Sequence, residues 1–384
     1  MTKRFIPYGH QDIAKEDIQA VVKVLESDWL TQGPSIEEFE RAVATYCGAT
    51  YAVAVSNATA ALHIACLAAG LQEGNQLWTS PNTFVASANC GRYCGASVDF
   101  VDIDGTTYNL SVRELEEKLK QGTIPECIIP VHFSGQSCDM EPIYKLCRQY
   151  GVKTIIEDAS HAIGGEYQGE KIGNCRYSDM TVFSFHPVKI VTTGEGGMIL
   201  TNREDLYQNL IRLRSHGITR DAGKMTEEAH GPWYYQQIEL GYNYRMTDLQ
   251  AALGASQMQR IDQFIEKRRV VAARYNQEFS KIDEIVIPQQ ESYGDSAWHL
   301  YVIQVPALKR AAVFQRLREC GIGVNVHYSP VHTQPYYRQL GHNAGDFPQA
   351  EAYYARAISL PMYYGLTTQE QDFVIASVKE VVQG

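Results

Sequence analysis

The segment Ser184-Phe185-His186-Pro187-Val188-Lys189-Ile190-Val191-Thr192-Thr193-Gly194-Glu195-Gly196-Gly197 holds hydroxyls, three glycines and one lysine between two apolar runs, 180–183 and 197–201. The runs read as buried strands. A lysine on the loop between them is partly desolvated, and desolvation lowers the pKa of an amine. A neutral amine at the mouth of a sheet can condense with an aldehyde to give a Schiff base. An isolated lysine on a hairpin turn is far more often a solvated surface residue. The reading of Lys189 therefore rests on its surroundings.

Three further features point to the same place. Ser56-Asn57-Ala58-Thr59 opens a helix after a strand, where free backbone N–H groups bind phosphate and Thr59 adds a hydroxyl. A plain helix N-cap is the ordinary alternative. Thr154-Ile155-Ile156-Glu157-Asp158-Ala159-Ser160-His161 sets Asp158 at the end of a buried strand. A carboxylate there is costly without a cation or donors, and a protonated ring nitrogen would serve. Capping the following turn is the alternative. Glu157 faces the other way and reads as structural. Ser184 follows a strand five residues before Lys189, where its hydroxyl can complete a phosphate site. Anchors for a phosphate, an aromatic nitrogen and an aldehyde together describe pyridoxal 5′-phosphate, PLP. Phe84 can stack on its ring or pack in the core.

The elements that must position these residues alternate. Residues 1–14 form an arm ahead of a helix at 15–26, and Gly33-Pro34 precede a second helix whose N-cap is Ser35, with Phe39, Val43 and Tyr46 on one face. Strand 51–55 leads into helix 60–69. Apolar runs near Leu77, Val98, Ile128, Ile155 and Val182 then alternate with helical stretches at 84–93, 112–119 and 142–150. That order predicts right-handed crossovers on a mostly parallel α/β sheet with helices on both faces. Ligands in such sheets sit outside the carboxyl ends of the strands, where the candidate residues fall. Residues 203–214 read as a helix and 219–237 as an irregular, polar, mobile loop. Residues 246–274 read as one long helix, a spine into a small α+β unit built on 300–305, a helix around 311–320 and 324–327. The expected division is an arm at 1–14, a large domain at 15–250 and a small C-terminal domain at 251–384.

Composition narrows the partners. The 384 residues carry a net charge of −10, which argues against nucleic acid or an anionic membrane surface. Nine irregularly spaced cysteines without a Cys-x-x-Cys pair fit reduced thiols in a cytoplasmic protein. Cys90 and Cys94 share a helix face. No apolar run approaches the roughly 20 residues of a membrane span, and the first residues do not read as a signal peptide. No Gly-x-Gly-x-x-Gly opens the first helix, against a nicotinamide-binding protein. A PLP-bound regulator without catalysis would carry a basic DNA-binding segment, which is absent.

Three motifs together resemble the DegT/DnrJ/EryC1/StrS nucleotide-sugar aminotransferases: Ser184-Phe-His-x-x-Lys189-x-x-Thr-Thr-Gly-Glu-Gly-Gly197, Glu157-Asp-Ala-Ser-His161 and Gly241-Tyr-Asn-Tyr-Arg-Met-Thr-Asp-Leu-Gln-Ala-Ala-Leu-Gly254. The similarity runs from about Ile6 to Leu360. It implies the type I PLP-dependent aminotransferase fold, the aspartate aminotransferase-like architecture, and a homodimer with an active site shared across the interface. It implies Lys189 as the catalytic, cofactor-linked lysine and Asp158 as the acid on the pyridine nitrogen. His161 would lie near O3′, Ala58, Thr59 and Ser184 around the phosphate, and Phe84 over the ring. Asn243 would reach the phosphate from the other subunit. Tyr8, Asp28, Trp29, Leu30, Thr31, Asn325, Val326, His327 and Tyr328 would line the sugar-nucleotide site together with Ala58 and Asn243. Arg245 would meet an anionic group of either substrate, unless it sits in a surface ion pair. Relatives with histidine in place of the lysine are sugar 3-dehydratases, so retention of Lys189 implies transamination. Tyr8-Gly-His-Gln-Asp12, Asp28-Trp-Leu-Thr-Gln-Gly33, Val131-His-Phe-Ser-Gly-Gln136, Arg214-Ser-His-Gly217 and Val326-His-Tyr-Ser-Pro330 most resemble the branch that aminates a UDP-linked 4-keto-6-deoxy amino sugar with L-glutamate, towards pseudaminic acid. The alternative is the branch acting on UDP-4-keto-6-deoxy-D-GlcNAc.

Overall fold

The computed structural model describes residues 5–383. Seven strands make the central sheet: β1 (Tyr51–Val55), β2 (Gln76–Thr79), β3 (Ser97–Phe100), β4 (Cys127–Ile129), β5 (Thr154–Asp158), β6 (Met180–Ser184) and β7 (Gly197–Thr201). Their spatial order is β1-β7-β6-β5-β4-β2-β3. β7 runs antiparallel to both neighbours, and the other pairs are parallel. Most strand residues are buried, as a sheet covered on both faces requires.

Among the described residues nine α-helices lie ahead of residue 280: α1 (Lys15–Leu25), α2 (Pro34–Cys47), α3 (Ala58–Ala68), α4 (Ala86–Tyr93), α5 (Val112–Lys120), α6 (Met140–Tyr150), α7 (Glu204–Arg214), α8 (Asp248–Met258) and α9 (Ile261–Phe279). One face of the sheet packs on α3, α4 and α7 through Leu62, Ile64, Cys90 and Leu210. The other packs on α2, α8 and α9 through Phe39, Val43, Ala251 and Phe264. α3 is apolar nearly all round because it is covered all round. A separate core of Tyr275, Phe279, Tyr301, Leu317 and Val378 surrounds two antiparallel strands, β8 (Tyr301–Gln304) and β9 (Ala357–Leu360).

Four local readings change. Ser35 is not the cap of α2: the helix starts at Pro34, and the Asp248 carboxylate accepts the N–H groups of Gly33 and Ser35 at 2.8 and 3.0 Å. A tertiary partner does the work assigned to a local hydroxyl. The single helix over 246–274 is two helices, α8 and α9, broken at Gln259-Arg260. No Gly or Pro marks the break; Arg260 instead turns to Asp12 and Asp17 at 2.8 and 2.6 Å. Residues 218–219 and 236–237 pair as a short antiparallel ladder, closing the irregular stretch into a hairpin. The 324–327 run makes one bridge, Asn325 with Ser359, rather than a strand. The nine cysteines are free thiols. Among the described residues no helix is long and apolar enough to cross a membrane.

Candidate active site

The carboxyl edge of the sheet gathers the predicted residues. Asp158 ends β5 and Ser184 ends β6. In the register of the sheet, Gly197 at the start of β7 pairs with both Ser184 and Val55. Val55 leads through Ser56 into the cap of α3, so Ser184 and the helix start become neighbours. The Asn57 side chain accepts Ala60 N–H at 2.8 Å. The N–H groups of Ala58 and Thr59 are left among the donors that a helix start cannot pair internally. A Cβ on Gly197 would lie 2.5 Å from the Asn57 carbonyl carbon and 2.7 Å from Ala58 N. The strand and the helix start thus form a close backbone cradle, suited to a phosphate.

Asp158 is buried, and its carboxylate accepts Ser87 Oγ–H at 2.6 Å and Ser160 N–H at 3.1 Å. The turn-capping role is therefore real but uses one oxygen. An ionised carboxylate offers about four acceptor sites, and Asp158 has no ion pair within contact among the described residues. A protonated pyridine nitrogen fits that deficit. Its neighbour Glu157 points to the other face, as read. It accepts from His132 Nε2 at 2.6 Å and from Thr181 Oγ1 at 3.1 Å, and also from Ser178. Cys138 N–H donates to His132 Nδ1 at 2.9 Å, so this histidine is a neutral donor and its partner an ionised carboxylate.

Lys189 is partly buried and its ammonium has no hydrogen-bond partner among the described residues. Burial lowers its pKa to about 8, with the Asp158 charge opposing. His161 accepts Ser134 N–H at Nδ1, 3.2 Å, and meets Tyr328 Oη through Nε2 at 3.1 Å. Burial, then Lys189 and His327, hold His161 well below the ordinary histidine range. His327 is pushed down to about 3 by burial and Lys189. Its Nδ1 meets Ser359 Oγ at 2.7 Å, and its ring lies 5.4 Å from that of Tyr8. Asn325 reaches His327 Nε2 at 3.3 Å and its own neighbour Val326 N at 2.9 Å. Tyr8, 325–328 and His161 are thus one connected wall. Phe84 is 58% exposed and 6.2 Å from the Tyr328 ring, so it is not a core residue and its face is free.

The remaining predicted residues lie apart from that wall. Asp28, Trp29, Leu30 and Thr31 are exposed beside the start of α8, tied by Asp248 N–H to Leu30 O at 3.0 Å. Asn243 is exposed on a strip that covers the open edge of β1, where Arg245 bridges Val55. Arg245 lines a cavity of about 660 Å³ with Gln32, Glu40, Tyr51, Tyr207 and Arg214. Arg214 takes the ion pair there, to Glu40 at 2.6 Å. Arg245 has none among the described residues, so a surface ion pair does not account for it.

Sequence reasoning missed Ser87, Ser134 and His299. Ser87 follows Phe84 by three residues in the first turn of α4, which could have flagged it. Ser134 acts through a backbone N–H at a positive φ of 63°, which no side-chain pattern reveals.

Comparison with known proteins gives the family and the fold. The model of the DegT/DnrJ/EryC1/StrS aminotransferase family matches residues 11–379. The spore coat polysaccharide biosynthesis protein SpsC of Bacillus subtilis is 40% identical over 386 residues, 99% of this chain and 98% of its own. The UDP-4-amino-4,6-dideoxy-N-acetyl-beta-L-altrosamine transaminase of Campylobacter jejuni (strain 81-176) is 37% identical over 377 residues, 96% and 95% of the two chains. Among solved structures, Helicobacter pylori PseC, an aminotransferase involved in the biosynthesis of pseudoaminic acid, superposes with a TM-score of 0.91 at 29% identity, covering 99% of this chain and 100% of its own. A putative sugar aminotransferase of Streptococcus pneumoniae, Spr1654, solved in its PLP form, gives 0.90 at 29% identity over 99% of each chain. The α/β fold is that of the type I PLP-dependent aminotransferases. With the family model matching residues 11–379 and a relative 40% identical over 99% of the chain, the chain belongs to the DegT/DnrJ/EryC1/StrS aminotransferase family and is a PLP-dependent sugar aminotransferase.

Proposed function

We propose that the enzyme transfers the amino group of L-glutamate to the C4 ketone of UDP-2-acetamido-2,6-dideoxy-β-L-arabino-hexos-4-ulose, as a homodimer whose active sites are shared. The reading is carried by Lys189, a partly buried amine without a partner, on the sheet edge that also bears Asp158. Similarity to the Campylobacter transaminase along 96% of the chain supports the sugar. When bound, PLP supplies an electron sink and carries the amino group between the two substrates. Asp158 keeps the proton on the ring nitrogen. Ala58, Thr59 and Ser184 would hold the phosphate, Phe84 would cover the ring, and His161 would lie near O3′. Lys189 Nζ, near neutrality as a base, takes the proton from Cα of glutamate and later returns one to C4 of the sugar. Tyr8 and 325–328 orient the sugar nucleotide. Asn243 and 28–31, exposed on one chain, and the half-buried Arg245 complete the neighbouring subunit's site.

SpsC, 40% identical, is named for spore coat polysaccharide biosynthesis and not for the altrosamine, and the alternative ketosugar is UDP-4-keto-6-deoxy-D-GlcNAc. Incubating enzyme, PLP and glutamate with each of the two C5-epimeric ketosugars decides between them. Product on the L-arabino sugar with the altrosamine configuration by NMR supports the proposal, and turnover of the D-sugar alone overturns it.

A further inference from the structure

One group beside Lys189 has no part in that scheme. His299 is 4% exposed, and its ring centroid lies 4.4 Å from that of His161 at an interplanar angle of 43°. His161 is fixed at both nitrogens. Ser134 N–H occupies Nδ1, so the proton sits on Nε2, facing Tyr328 Oη. The backbone that carries His299 is tied to the same turn that supplies Ser134. Leu300 N–H donates to Ser134 O at 3.2 Å, Ser134 Oγ–H to Leu300 O at 2.8 Å, and Ala297 N–H to Gly135 O at 3.0 Å. Gly135, at φ +107°, presses so closely that a Cβ would lie 2.7 Å from Trp298 N and 3.0 Å from His299 N. From the opposite side Arg268, buried, donates to the carbonyls of Trp298, His299 and Met362 at 3.0, 3.2 and 3.2 Å. His299 Nδ1 is buried with no hydrogen-bond partner among the described residues. The ring meets His161 by tilted ring-to-ring packing, and Nδ1 contributes no hydrogen bond to it.

We infer that His299 is a positioning residue, which sets the plane of the His161 ring and excludes water from it, so that His161 meets the cofactor in one orientation and one tautomer. The inference rests on the role proposed above for His161. The titratable groups facing His161 are Lys189, His327, His299 and Tyr328; those facing His299 also include Arg268. Burial above all keeps both rings well below the ordinary histidine range, hence neutral, and two neutral rings pack in tilted contact without charge repulsion.

The test is ¹⁵N-histidine NMR of the full chain, with and without PLP, alongside kinetics. In the parent enzyme His161 stays the Nε2–H tautomer between about pH 5 and 8. His299→Leu removes the planar ring that orients His161, so His161 turns away from Ser134 N–H and its titration rises towards about 6.5. It also lowers kcat about tenfold, with KM for glutamate changed by less than about threefold. His299→Phe restores both the tautomer and kcat. Should the leucine variant fail to fold, His299→Gln carries the same readings. An unchanged His161 titration in a folded variant, or a phenylalanine variant no better than leucine, overturns the inference. Absence of transamination in the parent enzyme would instead strike the proposed function, because the NMR reading does not depend on turnover.

Discussion

At the residue scale the chemistry turns on keeping one amine neutral and one carboxylate charged a few residues from each other's strands. Burial lowers Lys189 to about 8 from the ordinary 10.5, with Asp158 pulling the other way. Only the free base attacks a carbonyl, so the rate at which cofactor-free enzyme takes up PLP should climb with pH, with a midpoint near 8. A midpoint near 10.5, read from stopped-flow absorbance, would mean a solvated lysine. Lys189→Ala should lose turnover and the visible absorbance of bound PLP, and borohydride followed by peptide mapping should tag Lys189 in the parent alone. Asp158→Asn keeps the hydrogen bond to Ser87 but drops the charge that holds the ring proton. It should still bind PLP and turn over at least about a hundredfold more slowly. Ser87→Ala leaves the charge in place and should cost about tenfold or less. Equal losses in the two variants would show that the charge is not what matters.

At the scale of elements, the cradle proposed for the phosphate depends on a strand and a helix start that approach without a side chain between them. Gly197→Ala puts a Cβ against the Asn57 backbone, and backbone cannot swing aside as a side chain can. The helix start must move, and PLP affinity measured by equilibrium titration should fall at least about tenfold, a change of about 1.4 kcal/mol. Unchanged affinity would remove the start of α3 from the phosphate site. The same scale explains the misread boundaries. The cap of α2 comes from Asp248 and the break between α8 and α9 follows Arg260 reaching for Asp12 and Asp17. In both cases a distant charge overrode the local pattern. By contrast β5 to β7 were legible, because buried strands are continuous apolar runs bounded by polar turns.

For the whole molecule, the question is what completes a site that one chain leaves open. Asn243 and 28–31 are exposed, which a shared site would use. Mixing Lys189→Ala with Asn243→Ala subunits should recover activity, up to about a quarter of the parent level for random pairing of two inactive chains. No recovery on mixing would count against a contribution from across the dimer. The sequence by itself determined the alternating α/β order, Asp158 and Ser184 at strand ends, Lys189 on the loop beyond, and the helix start that follows β1. These depend on local periodicity and on residue types beside turns. Only the tertiary structure decided that Ser87 reaches Asp158, that Ser134 N–H sets the tautomer of His161, and that the His299 ring packs against it at a tilt. Those contacts join segments 71, 27 and 138 residues apart. No local pattern encodes the distance between such segments, since it is fixed only when the sheet and its two core layers close.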